Sequence, residues 1–287
     1  MKIGFLGGGN MATALIGGML ERGFAAADIQ VVDALASSCA SLEQRFGVRA
    51  LQSIDQQFLA VDVLMLAVKP QQMKEALAGI AGRLEDQLVI SIAAGLRVSD
   101  LARWLGGSEG DQAGQAYRRV VRCMPNTPAL IGAGMTGLYA DPSVDAAGRD
   151  AAARILAAVG EVLWVEEEAQ LDAVTAISGS GPAYVFHFIE ALEAAALTLA
   201  LPAASARQLA LHTVLGAARL AAGSSETPTR LREQVTSKGG TTAAALERLQ
   251  AGGWHDALIA AARAAAARSH ELGVQLGEDR GEQRGEG

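Results

Sequence analysis

A glycine-rich segment near the start of the chain restricts the possible folds more than any other feature. Gly7-Gly8-Gly9-Asn10-Met11-Ala12 follows an apolar segment directly, opens a helix-like one, and fits the pattern G-x-G-x-x-A. In that pattern Gly7 permits a tight turn, Gly9 lets a pyrophosphate approach the backbone, and Ala12 stays small where helix meets strand. The segment predicts a strand–turn–helix unit that binds a dinucleotide; the alternative is a glycine-rich turn without a ligand.

Strand-like and helix-like segments alternate through the first half of the chain. The segments that we predict as strands are Lys2–Leu6, Ile29–Asp33, Asp62–Val68, Gln87–Ile92, Arg118–Met124, Gly134–Ala140 and Val162–Val165. The predicted helices between them are Met11–Arg22, Leu35–Phe46, Gln71–Leu84, Val98–Leu105 and Ala146–Val159. This alternation is typical of an α/β fold, a parallel sheet with helices on both faces.

The pattern changes after about residue 166, where long alanine- and leucine-rich segments follow one another. They predict an all-helical second domain with helices at Ala183–Leu201, Ala203–Ala222, Thr241–Gln250 and His255–Leu272. We therefore divide the chain into a dinucleotide-binding domain (1–165), a helical domain (166–276) and a charged, glycine-rich, disordered tail (277–287). Gly107–Gln115 is predicted to be a surface loop, and the acidic run Glu166–Glu168 to be the first turn of a helix.

Asp33 closes the second predicted strand at a spacing typical of the acid that binds ribose hydroxyls in dinucleotide folds. A carboxylate at this position favours NAD(H) and repels the 2′-phosphate of NADP(H). The residues that follow, Ala34 to Ser38, include no arginine, although Ser37 and Ser38 offer hydroxyl groups to a phosphate. The residues themselves therefore favour NADH.

Three further segments close predicted strands with small residues or prolines. They are Ala67-Val68-Lys69-Pro70, Ala93-Ala94-Gly95 and Met124-Pro125-Asn126-Thr127-Pro128. Ligands of open α/β sheets bind outside the carboxyl ends of the strands, so we expect these segments beside the dinucleotide. Taken singly, each is also compatible with an ordinary turn at the end of a strand.

A second glycine-rich loop, Thr236-Ser237-Lys238-Gly239-Gly240-Thr241-Thr242, precedes a predicted helix in the second half of the chain. Backbone N–H groups at a helix N-terminus attract an anion such as a carboxylate, and glycines let the ligand come close. The alternative is a capped turn between two helices. The loop is a candidate substrate site.

Composition excludes several classes of protein. The formal net charge is −7 and no basic stripe occurs, so nucleic acid is not an expected partner. Two cysteines give no disulfide framework and fit a reducing cytosol; we expect a soluble, cytoplasmic protein without a signal peptide or membrane span. The four histidines lack metal-ligand spacing, and Cys123 lies in a predicted buried strand, where an inert thiol is expected.

Taken together, these motifs resemble pyrroline-5-carboxylate reductases from Ile3 to about Leu272. The resemblance rests on the first glycine-rich segment, the segments at 67–70 and 91–95, Arg122–Pro128, Ser178-Gly179-Ser180-Gly181-Pro182-Ala183-Tyr184, and the loop at 236–242. It implies a Rossmann-like N-terminal domain followed by an all-α C-terminal dimerisation domain. It also implies a homodimer, which in some members assembles into a homodecamer, with the active site between one chain's cofactor domain and its partner's helical domain.

The resemblance also implies a role for individual residues. NADP(H) is the commoner cofactor in these enzymes and NAD(H) is often accepted, so both stay open. Cofactor contacts are implied for Leu6, Gly7, Gly8, Gly9, Asn10, Met11, Asp33, Ala67, Val68, Lys69, Pro70, Ala93, Ala94, Gly95, Asn126 and Thr127. The substrate carboxylate is implied to bind at Ser237, Gly239, Gly240, Thr241 and Thr242, and Thr242 to reach the ring nitrogen as the catalytic residue.

One residue departs from the resemblance, and two other functions stay open. The family usually has proline where this chain has Lys238, which changes the stiffness and charge of the loop. Another two-domain NAD(P)-dependent reductase, acting on an imine or a β-hydroxy acid, is one alternative; the β-hydroxy-acid enzymes usually carry a catalytic lysine, and residues 170–222 contain none. A non-enzymatic dinucleotide sensor is the other.

Overall fold

The computed structural model describes residues 1–107 and 115–278. By their internal contacts these residues form two compact units, one comprising Met1–Gly179 with the segment from Ala265 onward, the other comprising Ser180–Ala264. The domain boundary between residues 165 and 166 stays a prediction, and the contact-defined units have different bounds. Most of the loop predicted at 107–115 and of the tail predicted at 277–287 lies outside the described residues.

The first unit is built on an eight-stranded sheet with the order β3-β2-β1-β4-β5-β6-β7-β8. The first six strands are parallel, whereas β7 runs antiparallel to β6 and parallel to β8. The strands are β1 Ile3–Leu6, β2 Ile29–Val32, β3 Arg49–Leu51, β4 Val63–Leu66, β5 Leu88–Ser91, β6 Val120–Met124, β7 Gly134–Ala140 and β8 Gly160–Trp164. The α/β prediction is confirmed; the strand β3 was not predicted.

Helices cover the sheet, and both of its faces are buried. In β4, Val63 and Met65 contribute to one apolar cluster while Leu64 and Leu66 contribute to the other. Burial of both faces explains why these strands are continuously apolar in sequence. The helices of this unit are α1 Asn10–Glu21, α2 Ala36–Phe46, α3 Pro70–Ala78, α4 Val98–Leu105, α5 Ala146–Leu156 and α6 Gln170–Val174, followed by a π-helical turn at Thr175–Gly179.

Two helix predictions for this unit need correction. Helix α3 ends at Ala78 instead of Leu84, and the short helix α6 begins at Gln170. The run Glu166–Glu168 therefore precedes a helix and is not its first turn, because Gln170 Oε1 accepts the backbone N–H groups of Glu166 and Glu167 outside the helix.

The second unit is entirely helical. It contains α7 Gly181–Thr198, α8 Ala203–Ala222, α9 Pro228–Gln234 and α10 Thr241–Ala251, together with the first part of α11, which spans Trp254–Gly277. Within it α7 packs against α8. Only Ala206 and Ala210 are buried among residues 180–264, all of which the structure describes. This unit hence has almost no hydrophobic core of its own.

None of the helices within residues 1–107 and 115–278 combines the length and apolar character that a membrane span requires.

Candidate active site

The turn after β1 brings three strand ends close together. Gly7 has φ +104°, and a Cβ atom there would lie 2.7 Å from the carbonyl carbon of Ala67. Its N–H donates to the Val32 carbonyl oxygen at 2.8 Å, and the Ala67 N–H donates to the Leu6 carbonyl oxygen at 2.8 Å. A side chain at Gly7 would separate β1 from β4, so this position requires glycine for both its dihedral angle and its packing.

Gly9 occupies the opposite kind of environment. A Cβ atom at this position would meet no other atom within 4 Å. Gly9 is the N-cap of α1, and no side chain caps that helix. The first N–H groups of an α-helix have no partner inside the helix, and the positive end of the dipole lies behind them. The residues present therefore fit a dinucleotide pyrophosphate, which needs open space over a helix N-terminus.

The carboxylate of Asp33 is fixed by the backbone. Its Oδ2 accepts the N–H of Gly8 at 2.7 Å, and its Oδ1 accepts the N–H of Leu35 at 2.9 Å. One side chain thus connects the glycine-rich turn to the segment that leads into α2. The position of Asp33 beside that turn is the one predicted from its spacing.

Two further predicted segments follow β4 and β5 at the same edge of the sheet. Lys69 is the N-cap of α3 and Pro70 its first residue, where the missing N–H of proline costs nothing. Gly95 has φ +81°, and a Cβ atom there would lie 3.2 Å from Leu276 Cδ1 in α11. The segment Ala93–Gly95 therefore packs under the last turns of α11.

Asn126 uses both ends of its side-chain amide within the protein. Its Nδ2 donates to the Ser178 carbonyl oxygen at 3.1 Å, and its Oδ1 accepts the N–H of Met135 at 2.9 Å. The amide joins the end of β6 to the start of β7 and to the turn before α7. Thr127, the next residue, is exposed. Asn126 thus stabilises the arrangement of these segments, and Thr127 is the residue of the two that a ligand can reach.

An ion pair that the sequence analysis did not identify supports the same edge. Arg122 Nη1 lies 3.0 Å from Glu168 Oε1, and the two side chains are 7% and 23% exposed. The same carboxylate oxygen accepts the N–H of Val98 at the start of α4, at 2.7 Å. An arginine in the apolar strand Val120–Met124 was the available signal, because a buried guanidinium requires an acidic partner.

Cys123, the neighbour of Arg122, is 1% exposed, and burial raises the pKa of its thiol well above the usual range. A protonated, buried thiol is a poor nucleophile. The geometry agrees with an inert core cysteine.

The candidate substrate loop lies in the second unit. Gly239 has φ +71°, and Gly240 is the N-cap of α10, whose first N–H groups donate to no capping side chain. The Gly240 N–H donates to the Ser237 carbonyl oxygen at 3.0 Å, which closes the turn. Lys238, Gly239 and Thr241 are exposed. The loop presents the N-terminus of an 11-residue helix, as an anion site requires.

The structure thus groups the predicted site residues into two sets. Those predicted to contact the cofactor gather at one edge of the sheet in the first unit, following the carboxyl ends of β1, β2, β4, β5 and β6. Those predicted to contact the substrate gather at the start of α10 in the second unit. Each set is internally consistent.

Comparison with known proteins decides the family. A family model described as pyrroline-5-carboxylate reductase dimerisation matches residues 168–272, and one described as NADP oxidoreductase coenzyme F420-dependent matches residues 2–95. A pyrroline-5-carboxylate reductase of Pseudomonas aeruginosa is 44% identical over 278 residues, 96% of this chain and 98% of the relative. The chain belongs to the pyrroline-5-carboxylate reductase family.

Solved structures of pyrroline-5-carboxylate reductases support the same assignment. The reductase of Coxiella burnetii is 40% identical with a TM-score of 0.88, covering 94% of this chain and 98% of that one. The Plasmodium falciparum enzyme, whose structure was solved with NADP bound, is 28% identical with a TM-score of 0.80, covering 95% and 98%. The Rossmann-like sheet followed by a helical dimerisation region is therefore the fold of this family.

Proposed function

We propose that this chain is an oxidoreductase that reduces the imine of (S)-1-pyrroline-5-carboxylate with NADPH or NADH, giving L-proline in the last step of proline biosynthesis. One observation carries the proposal. In a member of the pyrroline-5-carboxylate reductase family, an uncapped glycine-rich loop opens α10, in addition to the dinucleotide turn that opens α1. A sensor that binds only a dinucleotide has no need of the second anion site.

The first unit is proposed to hold the dinucleotide. The open backbone at Gly9 and the N-terminus of α1 accept the pyrophosphate, and Asp33 lies where a ribose would be bound. When bound, the reduced dinucleotide supplies the hydride that the imine carbon receives. Ala94 and Thr127 are exposed, so the ends of β5 and β6 are accessible to the nicotinamide half at these two residues.

The loop at the start of α10 is proposed to hold the substrate. The N–H groups of Gly239, Thr241 and the catalytic Thr242 face its carboxylate, whereas the N–H of Gly240 closes the turn on the Ser237 carbonyl oxygen and is not offered to the substrate. The Thr242 hydroxyl orients the ring nitrogen. Because a threonine hydroxyl is too weak an acid to protonate the nitrogen alone, we propose that the substrate binds as its iminium or takes its proton through water. Lys238 adds a positive charge beside this loop.

We further propose that the chain works in the cytoplasm as a homodimer, either alone or as the unit of a decamer of five dimers. The match of residues 168–272 to a dimerisation family supports the dimer, and so does the nearly coreless second unit. The dimer brings the loop of one chain to a cofactor held by its partner.

The proposal is tested by mixing the purified protein with pyrroline-5-carboxylate and either NADPH or NADH. Loss of the reduced nicotinamide absorbance with stoichiometric formation of proline is expected. If neither nucleotide is consumed while folded protein binds both, the assignment as this reductase is wrong.

The role of Thr242 has its own test. Replacing Thr242 with Ala removes the hydroxyl but keeps the backbone N–H groups, so we expect kcat/KM for the imine to fall about 10- to 100-fold. The Kd of the dinucleotide, measured by nicotinamide fluorescence, should stay unchanged. Thr229→Ala, at an exposed position of α9, is the matched control and should keep full activity. Unchanged turnover in Thr242→Ala would remove this residue from the mechanism.

A further inference from the structure

Asp33 is held in a way that bears on which dinucleotide this chain uses. We infer that Asp33 makes the chain select NADH over NADPH. Its carboxylate binds the ribose 2′-hydroxyl of NADH and repels the 2′-phosphate that NADPH carries there. The inference rests on the proposed dinucleotide site at Gly7–Ala12. The choice between NADH and NADPH does not follow from the fold or the family alone.

Two backbone hydrogen bonds hold the carboxylate of Asp33 in one orientation. Its two oxygens accept separate backbone N–H groups, from Gly8 at 2.7 Å and from Leu35 at 2.9 Å. These donors lie on two different segments, the glycine-rich turn and the approach to α2. Rotation of the carboxylate would leave both N–H groups without this partner, and hydrogen bonds to a charged acceptor are among the stronger ones.

The start of α2 offers little compensation to a phosphate. The N–H of Leu35, the N-cap of this helix, already donates to Asp33. The Asp33 carboxylate thus lies against the first N–H group of this helix N-terminus, and its negative charge opposes the binding of a phosphate there. Ser37 and Ser38 provide hydroxyl groups but no positive charge.

The basic side chains nearest in sequence are engaged elsewhere. Arg49 donates to Gln30 Oε1 at 2.9 Å and forms an ion pair with Asp55 at 2.5 Å. The guanidinium of Arg45 lies over the ring of Phe46, 4.8 Å from its centroid. Residues 34–44 contain no lysine or arginine. The dianionic 2′-phosphate would therefore meet a fixed carboxylate whose charge neither residues 34–44 nor the engaged Arg45 and Arg49 offset. Like charges brought together in this way are a means of specificity.

Direct binding separates this inference from the reaction itself. The Kd values of NADH and NADPH are measured by fluorescence or calorimetry at low salt, without imine. We expect NADH to bind at least about 10-fold more tightly than NADPH. The ratio of the two Kd values should fall as added salt screens the repulsion between Asp33 and the 2′-phosphate. Asp33→Asn, which removes the charge and keeps one acceptor oxygen, should tighten NADPH at least about 10-fold and weaken NADH. Asp150→Asn, at an exposed position of α5, is the charge-matched control.

The outcomes are distinct. Equal or tighter binding of NADPH by the wild type, or an unchanged Kd ratio in Asp33→Asn, overturns the inference. If the folded wild-type protein binds neither NADH nor NADPH, both the inference and the proposed dinucleotide site are wrong. Binding in the expected order without reduction of the imine leaves the role of Asp33 standing and refutes the proposed reaction instead.

Discussion

At the scale of single residues, the glycines of the first turn serve two different purposes. A Cβ atom at Gly7 would lie 2.7 to 2.9 Å from three backbone atoms of Ala67 and Val68, whereas one at Gly9 would meet nothing within 4 Å. The first glycine is therefore required by the fold. The fold does not require glycine at Gly9, because a side chain there has room and its φ of −69° suits any residue.

This contrast predicts that alanine at Gly7 lowers the stability of the protein, whereas alanine at Gly9 weakens dinucleotide binding. Gly7→Ala forces the β1 and β4 ends apart at a positive φ and should destabilise the protein by about 2 kcal/mol or more, measured by urea unfolding. Gly9→Ala should keep the wild-type stability within about 0.5 kcal/mol and weaken dinucleotide binding, because its methyl group occupies the pyrophosphate's place. Tight dinucleotide binding by Gly9→Ala would contradict this assignment of the site.

Sequence patterns predicted some of these residues and missed others for physical reasons. The glycine-rich turn and Asp33 belong to a local pattern with a fixed spacing, and both lie where that pattern places them. Arg122 and Glu168 are 46 residues apart, and only the fold brings them together. An arginine in an apolar strand indicates that an acidic partner is needed, but the sequence does not indicate which acidic residue it is.

At the scale of elements, helix α1 packs closely on the segment before β8 at one of two adjacent glycines, and the other glycine has room beside it. A Cβ atom at Gly18 would lie 2.5 Å from the Ala158 carbonyl oxygen and 2.7 Å from Val159 Cγ1. A Cβ atom at Gly17 would make only an ordinary contact of 3.4 Å with the ring of Phe46. The close approach of α1 to the segment before β8 thus depends on Gly18 alone of the two.

The two adjacent glycines should respond to alanine with opposite signs. Gly17→Ala should stabilise the protein by about 0.5–1 kcal/mol, because alanine loses less backbone entropy in a helix. Gly18→Ala should destabilise it by about 1–3 kcal/mol, since its methyl group meets backbone that must move. Urea unfolding of both variants beside the wild type checks the pair, and the same sign for both would show that α1 does not pack as described.

The bounds of some elements were predictable, whereas strand direction was not. Helices α4 and α8 and strand β7 have the predicted bounds, because apolar periodicity and flanking glycine or proline mark them. Periodicity carries no information on direction, so the antiparallel β7 was missed. The signal available was length: the connection between Met124 and Gly134 is shorter than the roughly dozen residues of a parallel crossover.

At the scale of the whole molecule, the second unit exposes apolar side chains that a soluble monomer rarely shows together. Helix α7 has no buried residue along its 18 residues. Large apolar side chains that are exposed in this unit include Phe186 at 61%, Leu199 at 77%, Leu209 at 52%, Leu220 at 61% and Trp254 at 47%. Apolar side chains exposed in such number mark a protein–protein interface. Sequence analysis predicted the helices, but which faces they leave uncovered follows only from the fold.

We therefore predict that the protein has no stable monomer at micromolar concentration. Light scattering after size-exclusion chromatography should give a mass of two chains or an even multiple of that. Phe186→Lys combined with Leu209→Lys places two charges on α7 and α8, and burying an unpaired charge is costly. This variant should dissociate to monomer, lose reductase activity, and keep the folded sheet of the first unit, seen as retained dinucleotide binding. Leu163→Lys, at a 49%-exposed position of β8, is the matched control and should keep the wild-type mass. A monomeric wild-type protein with full activity would contradict both the dimer and the shared active site.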